Sequence, residues 1–338
     1  MSDPFDIDPP LQPLRTGILL VNLGTPDALE VGAIRRYLRE FLSDPRVVEL
    51  PRALWLPILY LYVLTTRPAK VRHAYAAVWT EQGSPLRAYS LQQLAGLRAE
   101  LARRGHDLTV ELAMRYGNPS LRSGLDRLRE QGCERILAVP LYPQYSASTT
   151  ATVIDEIGRQ LATFRDQPEM RFIKRFHVED GYIDALANSV REFWQAHGEP
   201  EKLVMSFHGL PRAVVEKGDP YFRDCMQTAN QLAARLGLPR ERWLATFQSR
   251  FGRTPWIEPY TEPTLRDMAR QGVRRVDVMC PGFVAECIET LEEIAMGVRE
   301  AFIEEGGEDL RYIPALNARP DWIGGLADLV EKNIRGWA

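Results

Sequence analysis

The sequence contains itself twice. "QGCERILAVP" from Gln131 and "QGVRRVDVMC" from Gln271 share Gln-Gly, an arginine at the same place and an apolar run behind it. Each follows a helical segment, "GLDRLRE" and "TLRDMAR", in which Leu125 matches Leu265 and Leu128 matches Met268. Upstream, "GILLVNLGTPD" from Gly17 resembles "KLVMSFHGLPR" from Lys202, and "LAMRYGNP" resembles "ATFQSRFGRTP". Four matches in one order predict two similar α/β halves. Apolar strands separated by helical segments imply parallel sheets covered on both faces, and 338 residues exceed the usual size of one core. The boundary is expected near residue 180, giving halves over 1–180 and 181–319. The last helix, over 320–338, is expected to cross back onto the first half.

In open parallel sheets, ligands sit outside the carboxyl ends of the strands. "LVMSFHGLPR", residues 203–212, reads as a buried strand until His208, after which Gly209 and Pro211 turn the chain. A strand-end histidine is often only a hydrogen-bonded structural residue, yet imidazole alone titrates near neutrality without perturbation. Of the other histidines, His106 and His197 lie at helix ends, where charge complements the dipole, and His73 and His177 show no partner in the sequence.

The strand beginning at Val276 runs into "CPGFVAECIETLEEI". A helix starting by Val284 would stack Glu286, Glu289 and Glu293 at i, i+3 and i+7 on one face, opposite a buried stripe of Ile288, Leu291 and Ala295. A solvated acidic face is the bland alternative. Against it, like charges so stacked cost about 0.2–0.5 kcal/mol per pair, and the stripe begins at a strand end. Neutral imidazole with carboxylates suits a first-row divalent metal such as Fe(II).

Composition closes other doors. The net charge of −3 and pI near 6.1 give no basic excess for nucleic acid. Cys133, Cys225, Cys280 and Cys287 form no CxxC pair, which argues against a zinc ribbon or redox dithiol and fits a reduced cytoplasm. No GxGxxG, GxxxxGK or GxSxG sequence occurs. The N-terminus is acidic and proline-rich and reads as neither signal nor transit peptide. "ALWLPILYLYVL", residues 53–64, is too short to span a bilayer and is interrupted by Pro57. It is either a core helix or an apolar lip, flanked by Arg52 and Arg67, that receives a flat ligand or rests on a membrane; the lip is the expectation adopted, with Leu59 and Tyr60 on it.

Taken in order, "LLVNLGTP", "GSPL", "MRYGNP", "LYPQYSASTT", "SFHGLP", "FQSRFGRTPW" and "PGFVAECIETLEEI" resemble the ferrochelatase family over nearly the whole chain. The resemblance implies two similar Rossmann-like domains facing across a porphyrin cleft. It also implies a lyase that inserts Fe(II) into protoporphyrin IX and releases two protons, the last step of haem biosynthesis. It assigns His208 and Glu289 as catalytic and metal-holding residues, with Glu286 and Glu293 as a proton or metal relay. Arg67, Ser84, Arg115 and Tyr145 become porphyrin-binding candidates, Arg67 foremost for a propionate. Leu23, where the coproporphyrin-using branch often has tyrosine, favours protoporphyrin. No resident cofactor is expected, and no [2Fe–2S] cluster, because no cysteine follows Cys287. Expected partners are protoporphyrin IX, Fe(II), a membrane surface touched through 53–64, and haem-pathway enzymes; the expected location is the cytoplasm, at the membrane periphery. A tetrapyrrole carrier or a two-domain glycosyltransferase stands as the rival, the latter weakened by the missing phosphate loop.

Overall fold

The computed structural model describes residues 14–252 and 254–337; the N-terminal stretch 1–13, on which the leader reading rests, lies outside them. Among the described residues, β1 (Arg15–Gly24), β2 (Thr109–Tyr116), β3 (Cys133–Pro140) and β4 (Glu169–Phe172) form one sheet in the order β2-β1-β3-β4. Strands β5 (Lys202–His208), β6 (Trp243–Gln248), β7 (Arg275–Met279) and β8 (Asp309–Tyr312) form the second in the order β6-β5-β7-β8. All neighbours are parallel, and the two orders are the same order. The repeat extends to loops: Met114 N–H donates to the Pro119 carbonyl (2.6 Å) as Phe247 N–H does to that of Pro259 (2.8 Å).

The central strands are unbroken apolar runs because helices cover both faces; Ile18, Leu19, Leu20 and Val21 are wholly buried. The first half carries α1 (Val31–Leu42), α2 (Arg52–Ile58), α3 (Leu64–Val78), α4 (Pro85–Arg103), α5 (Leu121–Glu130) and α6 (Thr152–Leu161). The chain continues with α7 (Asp180–His197), α8 (Arg212–Glu216), α9 (Tyr221–Leu236), α10 (Thr261–Arg270), α11 (Arg299–Glu304) and α12 (Pro320–Asn333). The matched helices are α5, capped by the Ser120 hydroxyl accepting from Ser123 N–H (3.2 Å), and α10. They bury Leu125, Leu128 and Leu265 against their sheets.

Helix α12 packs on α4 as well as on α7. Arg104, at the end of α4, pairs with Asp328 (2.6 Å) and Glu331 (2.8 Å) of α12. His106 also meets Glu331 (2.7 Å), so its partner is a carboxylate rather than a helix end. His177, which showed no partner in the sequence, is bonded to Gln227 (2.7 Å). Beyond α12, Trp337 donates to Glu169 (2.8 Å) at the far edge of the first sheet. One apolar cluster therefore runs through both halves, with Trp322 of α12 stacked on Phe176 and edge-on to Tyr182.

The α7–α12 crossing is set by two glycines. A Cβ on Gly181 would lie 2.7 Å from the Gly325 Cα, so no larger residue fits. Gly325→Val is expected to cost about 1–3 kcal/mol through overpacking, read as a lower denaturant midpoint. An unchanged midpoint would mean that the two helices part freely.

Candidate functional site

His208 closes β5 and faces out of the sheet, half-buried. Its Nδ1 lies 2.7 Å from the Gly209 carbonyl. A carbonyl can only accept, so Nδ1 carries a proton, and when the ring is neutral its lone pair lies on Nε2. Gly209 is required by contact: a Cβ there would meet the Gln248 carbonyl at 2.8 Å and the Trp256 ring at 3.0 Å. The Trp256 ring flanks the imidazole at 6.4 Å.

The acidic stripe differs from its sequence reading. The helix does not begin by Val284; the wide, i→i+5 bonded segment starts at Glu289 and runs to Val298. Its buried residues are Thr290, Ile294 and Val298, and not Ile288, Leu291 and Ala295. Glu286 precedes the helix and shares no face with the other two. It is 3 % exposed and fully bonded, accepting from Thr290 Oγ1, Tyr312 OH (2.9 Å) and Ala315 N–H (2.8 Å). Burial pushes its carboxyl above the ordinary value of 4.5, against the pull of those donors.

Glu293 is also raised by burial, opposed by two donors from Ser249 and by His208 whenever that imidazole is protonated. Ser249 holds a left-handed φ of 62°, which turns both its N–H (2.6 Å) and its hydroxyl onto Glu293. Glu289 is half-buried, and no N–H or O–H donor of the described residues bonds its carboxylate. Its charge adds to burial in pushing up Tyr75 and the Cys287 thiol. Behind Glu293 a groove of about 310 Å³, lined by Glu262, Arg266, Glu292, Glu300 and Glu304, opens outward. Among the described residues, no three His, Cys, Asp or Glu side chains converge as a metal site.

The 53–64 segment is divided between core and surface. Trp55, Leu59 and Leu64 are buried against Tyr37, Leu38 and Tyr116, so Leu59 belongs to the core and not to the lip. Leu54, Ile58, Tyr60, Leu61 and Tyr62 are exposed, Leu61 by 78 %. Just beyond, α3 lies against the Glu289–Val298 helix. Arg67 stacks over Phe251 of the opposite half, 4.4 Å from the ring centroid. Burial lowers its proton affinity, and none of the described carboxylates pairs with it.

The other porphyrin candidates are engaged elsewhere. Arg115 bonds Asp44 and the Thr152 carbonyl (2.9 Å), so its charge is already balanced in a buried pair. Ser84 is buried and accepts from Thr25 Oγ1 (2.8 Å). Tyr145 lies under Lys174, 4.7 Å from its ring, in a loop that joins the halves through Ala147 N–H and Asp219 (2.7 Å). Sequence reasoning named the "FQSRFGRTPW" motif but no residue in it. The rule that drew attention to the end of β5, applied to β6, would have reached Gln248 and Ser249, and Trp256 with them.

Two parallel sheets in one order, with a basic imidazole and buried carboxylates where their strand ends face, define a chelatase-type fold. SirB from Bacillus subtilis with Fe3+ is similar over 95% of this chain and 96% of its own, at TM-score 0.55 and 13% identity. CbiX, described as the terminal enzyme for biosynthesis of siroheme in denitrifying bacteria, covers 94% and 98% at TM-score 0.50 and 14% identity. These likenesses concern the fold alone. The family model described as Ferrochelatase matches residues 15–334. A Ferrochelatase of Bordetella pertussis is 62% identical over 99% of this chain and 93% of its own, and one of Azoarcus sp. 57% identical over 96% and 89%. The chain belongs to the ferrochelatase family.

Because folding raises the Glu286 pKa, its ionisation opposes folding. Stability is whole below the ordinary value of 4.5 and falls as pH rises toward the raised one. Glu286→Gln is expected to lose that decline, its denaturation midpoint gaining on wild type as pH rises through this window. Parallel midpoints from pH 4 to 7 would mean that Glu286 is not desolvated.

Proposed function

We propose that this chain inserts Fe(II) into protoporphyrin IX, giving protohaem and two protons, the last step of haem biosynthesis. The observation that carries the residue-level reading is the locked tautomer of His208, which leaves Nε2 as a base at the strand end. Metal entry needs the pyrrole N–H protons removed, and a base held in position at the ring does this best. Glu289, whose carboxylate no N–H or O–H of the described residues occupies, holds the incoming metal together with His208. Glu293 and Glu286, both of raised proton affinity, take up protons behind them, and the acidic groove gives cation or proton a way through. Arg67 has a desolvated charge that no carboxylate among the described residues pairs, which suits a propionate; Arg115, already paired, leaves the porphyrin set. Leu23 packs among apolar groups of both halves, which favours protoporphyrin. The proposal includes no resident cofactor.

The test is anaerobic mixing with protoporphyrin and Fe(II). Catalytic haem formation supports the proposal, stoichiometric binding a carrier, and an unchanged spectrum the transferase. His208→Ala is expected to abolish insertion while porphyrin fluorescence is still quenched on binding; near-normal turnover would remove His208 from the mechanism.

The exposed face of residues 54–62 extends the proposal to a peripheral membrane contact. No helix among the described residues is long and apolar enough to cross a membrane, but aromatic and aliphatic side chains on one face bind an interface. Leu61→Ser with Tyr62→Ser is expected to lower co-sedimentation with anionic phospholipid vesicles while the melting temperature holds. Equal sedimentation of both proteins would end that part of the proposal.

A further inference from the structure

Gln248 is the last residue of β6 and lies in register beside His208. Its amide is 3 % exposed, and every polar atom of it is used. Oε1 accepts from the Ser206 hydroxyl (2.7 Å) and the Cys280 thiol (3.4 Å). Ser206 Oγ also lies 2.8 Å from Thr261 Oγ1, which lies 2.9 Å from Thr246 Oγ1, so the acceptor side is backed by a row of buried hydroxyls. Nε2 donates to the Glu289 carbonyl (2.7 Å) and lies 3.4 Å from the Glu293 carboxylate. The amide cannot be reversed, since a carbonyl and a carboxylate both need a donor.

The residue thus ties the strand that ends beside His208 to the first carbonyl of the wide helix. A side chain bonding into the ladder of a helix is a known cause of a local departure from α geometry, and the wide turn starts at the residue that Gln248 holds. We propose that Gln248 is a positioning residue for metal insertion: it sets the wide helix so that Glu289 and Glu293 face the imidazole. It touches neither porphyrin nor metal in this account. The inference rests on the proposed insertion activity.

Gln248→Met keeps the bulk and removes both hydrogen-bonding functions. Its kcat is expected to fall by roughly tenfold to a hundredfold, the scale of a misplaced catalytic group, with porphyrin affinity by fluorescence within about twofold of wild type and the melt still cooperative. A kcat within about twofold of wild type, or one reduced only by the unfolded fraction, overturns the proposal. Gln248→Glu provides a second reading that does not depend on the methionine variant folding. Ionised, it offers no donor to the Glu289 carbonyl and repels Glu293; protonated, it regains an O–H donor. Its activity relative to wild type should rise as pH falls from 8 to 6, and a flat ratio also overturns the proposal. Inactive wild-type protein in the same assay would count against the insertion activity, not against Gln248.

Discussion

The spacing between the two halves depends on one buried amide. Gln93 of α4 donates through Nε2 to the carbonyls of Val284 (2.7 Å) and Asn317 (2.9 Å). Those carbonyls belong to the two segments that enclose Glu286. Asn317, held at a φ of 49° that asparagine tolerates better than most residues, returns its side-chain oxygen to Glu286 N–H (3.0 Å). A group of the first half therefore fixes both walls around a carboxylate of the second. Helix α12 presses the same surfaces together from outside, so the strand ends face each other at a distance that packing has already decided.

The repeat made the fold legible. Matching "QGCERILAVP" to "QGVRRVDVMC" amounts to matching β3 to β7, and with the glycine-ended strands it implies that the two sheets share one order, which the structure supplies. His208 was legible for the same reason, since the end of β5 is the end of the strand corresponding to β1. The acidic stripe was not. A four-residue recurrence is shared by an α-helix and a wider turn, so sequence alone allowed Glu286 onto a helix that begins after it. Leu59 was lost the same way, because Leu59–Val63 is also a wide turn, which carries Leu59 and Leu64, five apart, to the inner side. Arg115 could not be sorted, because its partner Asp44 is 71 residues away.

The carboxylates are held against physical preference. An ionised carboxylate in a dry interior is costly unless its oxygens are bonded, and Glu286 meets that condition with three donors. Glu293 meets it through a serine in a conformation that costs on the order of 1–3 kcal/mol. Glu289 meets it least: among the described residues no N–H or O–H bonds its carboxylate, and the Cys287 thiol is its hydrogen-bonding neighbour. A half-buried anion so thinly supplied, beside others that are fully bonded, is an arrangement that packing alone does not select.

The stack of Arg67 on Phe251 makes the entrance soft. A cation lying on an aromatic face is retained by about 0.5–2 kcal/mol, far less than the cost of separating a buried ion pair. The guanidinium can therefore leave the ring for a carboxylate and come back with little free energy either way. The two halves are thus joined here by a contact that little free energy opens or remakes, where a buried ion pair would have locked them.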